Sequence, residues 1–401
     1  MQPNTIKPLD DEARLAWLRL IRSENVGPVV FRQLLDRFGS PAAALSALPE
    51  VAARAGGKRR IRICSQADAE AEMAATRRAG ARLLAWCEPA YPAPLRELED
   101  APPLLIVLGD PAALSAPAVG IVGARNASAN GRRFAQGLAA EIAEAGYAVV
   151  SGMARGIDTA AHLGALPRPS VAVLAGGVDV VYPPENDRLH RDLQDRGAVI
   201  SEMPLGTKPQ ARHFPRRNRL ISGLSCGLVI VEAAKRSGSL ITARFAAEQG
   251  RDVFAVPGSP LDPRAAGCNH LIREGATLVE SAAQILDDLR APLPAPPGSS
   301  APGSSAPGSS PTGLQQVFAP QAPPPPTPPI AERAEAGPNE RRDLEELLGP
   351  EPIMVDELVR LSGLPIGVVH SALLDLELAG RIERHPGNRV ARLYKAPADL
   401  L

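Results

Sequence analysis

The chain has 401 residues, more than one ordinary domain needs, and length alone points to two or three domains. Its 44 lysines and arginines balance 44 aspartates and glutamates, which excludes a globally basic nucleic-acid binder and makes any polyanion-binding surface local. A hydrophobic fraction of 45% allows a sizeable core, while aromatics at 3% leave that core to Ala, Leu, Val and Ile.

The first stretch, residues 1–90, reads as a helical domain from about Asp10 onward. Leu15, Leu18, Leu20 and Ile21 precede Asn25-Val26-Gly27-Pro28, after which Val30, Phe31, Leu34, Leu35 and Phe38 recur at helical spacing. Helix, short glycine turn and second helix suggest a helix-hairpin-helix, whose turn amides can hold a DNA phosphate, although most such pairs are structural.

From Pro103 to about Leu289, within a domain set at 91–290, short apolar runs alternate with helical stretches. The expected strands are Ala118–Val122, Tyr147–Ser151, Ser170–Ala175, Ala198–Ser201, Gly227–Val231, Asp252–Val256 and Thr277–Val279, with helices such as Gly131–Ala145 and Leu240–Gly250 between them. Runs nearly continuous in Val, Ile, Leu and Ala fit strands covered on both faces, and the alternation predicts right-handed βαβ units in an open parallel sheet.

Ligands of such sheets bind beyond the strand ends, so five loops draw interest. Gly123-Ala124-Arg125-Asn126-Ala127-Ser128 follows the first strand: a glycine admits a ligand to the backbone and Arg125 can fork onto a phosphate, but the segment is not a GxGxxG fingerprint. Ser151-Gly152-Met153-Ala154 continues to Asp158 and His162, which read as a helix cap beside a histidine more readily than as a catalytic pair. Gly176-Gly177 through Tyr182-Pro183-Pro184-Glu185-Asn186 reads as a cleft wall. Arg212-His213-Phe214-Pro215-Arg216-Arg217-Asn218-Arg219 combines guanidinium forks with a stacking ring, the equipment of a single-strand groove. Ser237-Gly238-Ser239 opens a helix as an anion nest.

Residues 291–338 hold 15 of the 42 prolines, with a PGSS repeat and a run from Pro323 to Pro326, and are expected to form a disordered linker. In the final domain, 339–401, three helices (341–348, 355–362 and 367–379) precede a hairpin of 381–383 with 390–394, suggesting a winged helix. The third helix carries Asp375 and Glu377 but no lysine or arginine, which favours protein contact or structural use over phosphate contact. The four cysteines (Cys64, Cys87, Cys226, Cys268) form no CxxC pair and read as buried, inert thiols. With no signal-like or membrane-spanning apolar run, a soluble, reducing, cytoplasmic setting is expected, without cofactor or metal.

Tyr91-Pro92-x-x-Leu95, IVGAR at 121–125, SGMARGIDTAAH at 151–162, YPPEN at 182–186, SE at 201–202, FPRRNRLISGLS at 214–225, VEAAKRSGSLITA at 231–243 and VPG at 256–258 together resemble the bacterial DNA-processing protein A family, DprA or Smf, over roughly Tyr91–Leu286. The resemblance implies an α/β protein with an extended Rossmann-like parallel-sheet core. An N-terminal helical domain, helix-hairpin-helix or SAM-like, and a C-terminal winged-helix domain flank that core. It also implies a homodimer that binds and protects single-stranded DNA without catalysis and loads the recombinase RecA onto it during natural transformation. Carried over by motif, Arg125, Ser151, Gly152, Met153, Ala154, Arg217, Asn218 and Arg219 would line the DNA pocket; Gly123, Asn126, Ser237, Gly238 and Ser239 complete the expected set. Some members place a DNA-touching lysine where this chain has Pro184. The rival reading is a nucleoside monophosphate phosphoribohydrolase of the lysine-decarboxylase-like family. That family needs a glutamate in its PGGxGTxxE motif, whereas here the first carboxylate after Ser237-Gly238-Ser239 is Glu248. A winged-helix transcription regulator, the third option, lacks a basic recognition helix.

Overall fold

The computed structural model describes residues 8–54, 61–166, 168–289, 336–385 and 387–393. The expected linker lies outside the described residues, save for its last three positions, as does Tyr394 at the end of the expected hairpin.

Four helices open the chain: α1 (Asp11–Ile21), α2 (Pro28–Phe38), α3 (Pro41–Arg54) and α4 (Gln66–Arg78). Asp10 caps α1 by accepting the Ala13 amide at 2.8 Å, and Ser65 caps α4 through the Asp68 amide at 3.0 Å. Proline at the first position starts α2, and Gly39 at φ +76° ends it in the left-handed conformation that glycine adopts freely. The apolar stripes meet in one core, where Trp17 and Phe31 lie 5.0 Å apart between ring centroids.

The sheet begins earlier than the sequence pattern indicates, with β1 (Arg82–Ala85), the short helix α5 (Ala93–Arg96) and β2 (Leu104–Gly109). The βα alternation follows: β3 (Ala118–Gly123), α6 (Ala129–Glu144), β4 (Ala148–Ser151), α7 (Ile157–Ala165), β5 (Ser170–Val173), α8 (Asp187–Arg196), β6 (Ala198–Ser201) and α9 (His213–Leu224). It continues through β7 (Gly227–Val231), α10 (Gly238–Glu248), β8 (Asp252–Ala255), α11 (Ala266–Arg273), β9 (Thr277–Leu278) and α12 (Ala282–Asp288). The nine strands are ordered β1-β2-β6-β5-β4-β3-β7-β8-β9. From β6 to β9, the seven expected strands, every pairing is parallel, as expected; β1–β2 and β2–β6, two strands the sequence pattern did not show, are antiparallel at one edge. β1 and β2 are leucine-rich and short, a pattern that does not separate strand from buried helix.

After β3 the chain runs outward through β4, β5 and β6, then returns to place β7 on the other side of β3. The strand order therefore reverses between β3 and β7, where open α/β sheets present a crevice. Leu220, Ile221, Leu224, Ala243 and Ala246 of α9 and α10 cover one face; Leu138, Ile142, Ala161 and Ile285 of α6, α7 and α12 cover the other.

The C-terminal unit contains α13 (Pro338–Leu347), β10 (Ile353–Met354), α14 (Val355–Ser362), α15 (Ile366–Leu378), β11 (Ile382–His385) and β12 (Arg389–Arg392), with strand order β10-β12-β11, a winged helix. It sits on the N-terminal helices. Leu374 and Leu378 of α15 join their core, Asn25 Nδ2 donates to the Leu378 carbonyl at 3.0 Å, and Arg37 lies 3.5 Å from buried Asp375. Among the described residues, no single helix is long and apolar enough to cross a membrane.

Candidate nucleic-acid interface

At the reversal point, glycine is demanded by packing. A side chain on Gly123 would strike the Val231 carbonyl and Ile157, so this residue brings β3 against β7 and admits no ligand. The N-terminus of α6, where a nucleotide phosphate would rest in a dinucleotide-binding fold, is filled by the protein's own carboxylate. Glu232, at φ +54° just after β7, accepts the Ser128 amide at 2.8 Å and the Ser128 hydroxyl, and Gly131 leaves it room. Beside it lies a cavity of about 200 Å³ lined by Phe134, Val256 and Asp262 among others.

The loop after β4 also closes on itself. Ser151 Oγ donates to the Ile121 carbonyl at 2.6 Å, Met153 is buried at φ +55°, and the Ala154 amide donates to Asp158 Oδ2 at 3.3 Å. Of the expected pocket backbone Ser151-Gly152-Met153-Ala154, the Gly152 and Ala154 amides are taken by Asp158. Gly152 is small because the Arg217 guanidinium occupies the space its side chain would fill. His162 bonds to Ser170 Oγ through Nδ1 at 2.8 Å rather than to Asp158. Full burial pulls its pKa down to about 3, so it is uncharged at neutral pH.

The arginine stretch forms the start of α9 and divides in two. Arg217 is 5% exposed and donates from Nη1 to the Val173 carbonyl at 2.7 Å. Arg219, 7% exposed, pairs with Glu202 at 2.5 Å and with Asp100 at 3.5 Å, and bonds the Asp100 carbonyl at 2.7 Å. Both expected pocket residues therefore lie against protein groups, Arg217 on the Val173 carbonyl and Arg219 on two carboxylates, and not at the open surface. Asn218 is buried as well, its Nδ2 3.4 Å from the Gly238 carbonyl. At α10, Ser237 Oγ caps the Ser239 amide at 3.3 Å and meets Ser239 Oγ at 2.7 Å; Ser239 is buried, while Gly238 faces open space. The nest is thus partly satisfied by its own hydroxyls.

What remains at the surface is more compact than the motif list. Arg125 and Asn126 are exposed, and the Arg125 guanidinium lies 5.0 Å from the Phe214 ring centroid. The ring of Tyr182, which is 48% exposed, follows at 5.9 Å. Arg212 and Arg216 are exposed on either side of Phe214 in sequence, as is Lys208 before α9. Arg155, exposed and paired with Glu185, stands beside the turn holding Pro184. Guanidinium, ring and second ring thus stand in one row, with exposed cations nearby in sequence. The motif reading placed Tyr182 only as a wall and passed over Glu232; proline-rich and apolar surroundings masked both.

Among the described residues, no cluster of three His, Cys, Asp or Glu could hold a metal. Glu248, the carboxylate weighed for glycosidic cleavage, lies at the far end of α10 and pairs with Arg244 at 2.8 Å. Cys268 is buried, but Cys64, Cys87 and Cys226 are only half-buried, which corrects the uniform burial expected; burial nonetheless raises all four thiols above the usual range.

Comparison with known proteins agrees with this architecture. Residues 82–290 match the model of "DNA recombination-mediator protein A", residues 11–75 that of a "DprA-like N-terminal HHH domain" and residues 319–388 that of a "DprA winged helix domain". Protein Smf of Synechocystis sp. is 35% identical over 313 residues, covering 76% of this chain and 78% of its own. DNA processing protein DprA of Streptococcus pneumoniae is 46% identical over 202 residues, or 49% of this chain and 70% of that one. The X-ray structure of DNA processing protein A from Streptococcus pneumoniae superimposes with a TM-score of 0.59 at 34% identity, covering 70% of this chain and 99% of that chain.

Proposed function

Because the chain belongs to the DNA recombination-mediator protein A family, we propose that it is a non-enzymatic DNA-processing protein that binds single-stranded DNA along the Arg125–Phe214–Tyr182 surface. The observation that carries this reading is that ladder: an exposed guanidinium over one ring and a second, half-exposed ring beside it, bordered by Arg212 and Arg216. Stacking serves any base, and forked cations serve any phosphate, so the surface suits a single strand without sequence preference. Near Pro184, which stands where some family members carry a lysine, the exposed cation is Arg155, paired with Glu185. The proposed cellular role follows from the family: a cytoplasmic homodimer that shields incoming DNA and loads RecA during transformation.

Titration of labelled oligo-dT by fluorescence anisotropy tests the binding. Log affinity falls linearly with log salt, and Arg125→Ala lowers that slope by about 0.7, one phosphate contact on a single strand. The same substitution costs roughly 1–3 kcal/mol, and Phe214→Ala costs a similar ~1–3 kcal/mol with the slope unchanged. Unchanged affinity in both variants overturns the reading.

A further inference from the structure

Beneath the surface ladder lies a layer of buried polar groups that the ladder itself does not need for charge. Arg217 comes from α9, Asp158 from the first turn of α7, and Asn186 from the turn after Pro184; each is less than a tenth exposed. Asp158 and Asn186 bond the backbone of residues 151–156, and Arg217 packs against it at Gly152. Asp158 accepts the Ala154 amide at 3.3 Å and the Gly152 amide. Asn186 Nδ2 donates to the Met153 carbonyl at 2.8 Å, and Thr159 Oγ1 donates to the Ala154 carbonyl at 2.7 Å. Arg217 fills the gap above Gly152 and bonds the end of β5 at the Val173 carbonyl. Its Nε has no partner, so the group is held by shape and by the opposing charge of Asp158.

The far end of this loop supports Arg125. Ile157 N donates to the Ala124 carbonyl at 3.2 Å, and the bare Cα of Gly156 lets the Ala124 and Arg125 carbonyls lie against it. Arg217, three residues after Phe214, anchors the first turns of the helix that carries the ring. The two halves of the ladder thus rest on one layer, Arg125 through loop 151–156 and Phe214 through α9.

We propose that Asp158 and Arg217 are positioning residues that fix the separation of Arg125 and Phe214 without touching nucleic acid. The proposal rests on the single-strand reading above and assigns that site its supporting shell. A surface held at the bound geometry loses less freedom on binding, so its affinity depends on the support as well as on the contacts.

The test compares full-length Asp158→Asn, Arg217→Lys and Gly152→Ala with Arg125→Ala, using oligo-dT anisotropy over a salt series, with circular dichroism reporting folding. Asp158→Asn keeps shape and removes the charge, Arg217→Lys keeps the charge and loses the fork, and Gly152→Ala pushes a methyl into the guanidinium. A positioning role lowers affinity at least about fivefold in folded variants with the salt slope of wild type. A slope lowered by Arg217→Lys as in Arg125→Ala places Arg217 on a phosphate and overturns the proposal. Folded variants with wild-type affinity overturn it equally. If Asp158→Asn fails to fold, Gly152→Ala and Arg217→Lys decide. Failure of the underlying reading has a different signature, since Arg125→Ala is then indistinguishable from wild type.

Discussion

His162 shows how one buried side chain shapes the behaviour of this protein. It has no exposed surface, its Nδ1 is tied to Ser170, and its Nε2 has no partner. Its pKa of about 3 in the fold, against 6.5 when unfolded, means that between those values the unfolded chain binds a proton that the folded chain refuses. The stability contributed by His162 is complete above pH 6.5 and is lost as pH falls toward 3, at about 1.4 kcal/mol per unit. Urea unfolding at pH 7 and pH 5 therefore shows wild type losing roughly 2 kcal/mol more than His162→Asn. Equal losses would mean that the imidazole protonates freely in the fold. Buried Asp158, raised by desolvation, has the opposite trend in both proteins and cancels in the difference. The same residue scale explains what the sequence concealed. The run Arg212–Arg219 announced a cationic segment correctly, but the partners that remove Arg219 from the surface, Glu202 and Asp100, lie 17 and 119 residues away. A linear pattern carries charge and spacing; it does not carry the acceptor. For the same reason glycines 123 and 152 read as openings for a ligand, whereas each makes room for protein atoms.

Elements were more legible than side chains, and the exceptions have a common cause. The strands from β3 to β8 are short runs of Val, Ile and Ala covered on both faces, and their signal is local. β2 depends for its definition on pairing with β6, a partner remote in sequence, and β1 in turn on β2. Helix α15 was legible as a helix lacking basic residues, but its seat was not: the Asn25–Leu378 hydrogen bond spans 353 positions. In the seat, Asp375 is 1% exposed between Arg341 at 2.7 Å and Arg37 at 3.5 Å. Removing this buried carboxylate takes away its charge-assisted bonds to the half-buried Arg341 and Arg37, so Asp375→Ala costs about 1.5–3 kcal/mol. Because Arg37 belongs to the N-terminal helices, the damage crosses the interface. Hydrogen exchange rises in α2 as well as in α15, and a rise confined to α13–α15 would show that the two units do not depend on each other there.

At the scale of the whole molecule, a chain of zero net charge carries exposed cations around one set of strand tips, Arg125, Arg155, Lys208, Arg212 and Arg216, while Arg219 and Arg384 are tied down in ion pairs. Everything in the Arg125–Phe214–Tyr182 ladder and its support lies between β3 and the start of α10. The winged helix contributes none of it. Arg381 and Arg392 pair with Glu345 at 2.6 and 3.0 Å, and Arg384 pairs with Glu377 at 2.7 Å while reaching Gln33 of the N-terminal helices at 3.5 Å. The winged helix does supply cover, since Leu374 and Leu378 complete the core of the N-terminal helices. A chain ending at Leu289 separates the two contributions. Its oligo-dT affinity stays within about twofold of full length, and its salt slope is unchanged, because no phosphate contact has been removed. Its stability falls, since the N-terminal core surface that Leu374 and Leu378 cover is bared at about 25 cal/mol per Å² of apolar area, and that bared seat favours self-association at higher concentration. Anisotropy and a thermal melt on the same sample read both quantities. Loss of DNA binding by a truncated chain that still melts cooperatively would transfer the site to the C-terminal unit. Retained binding with an unaltered melt would leave α15 without the covering role that its buried leucines indicate.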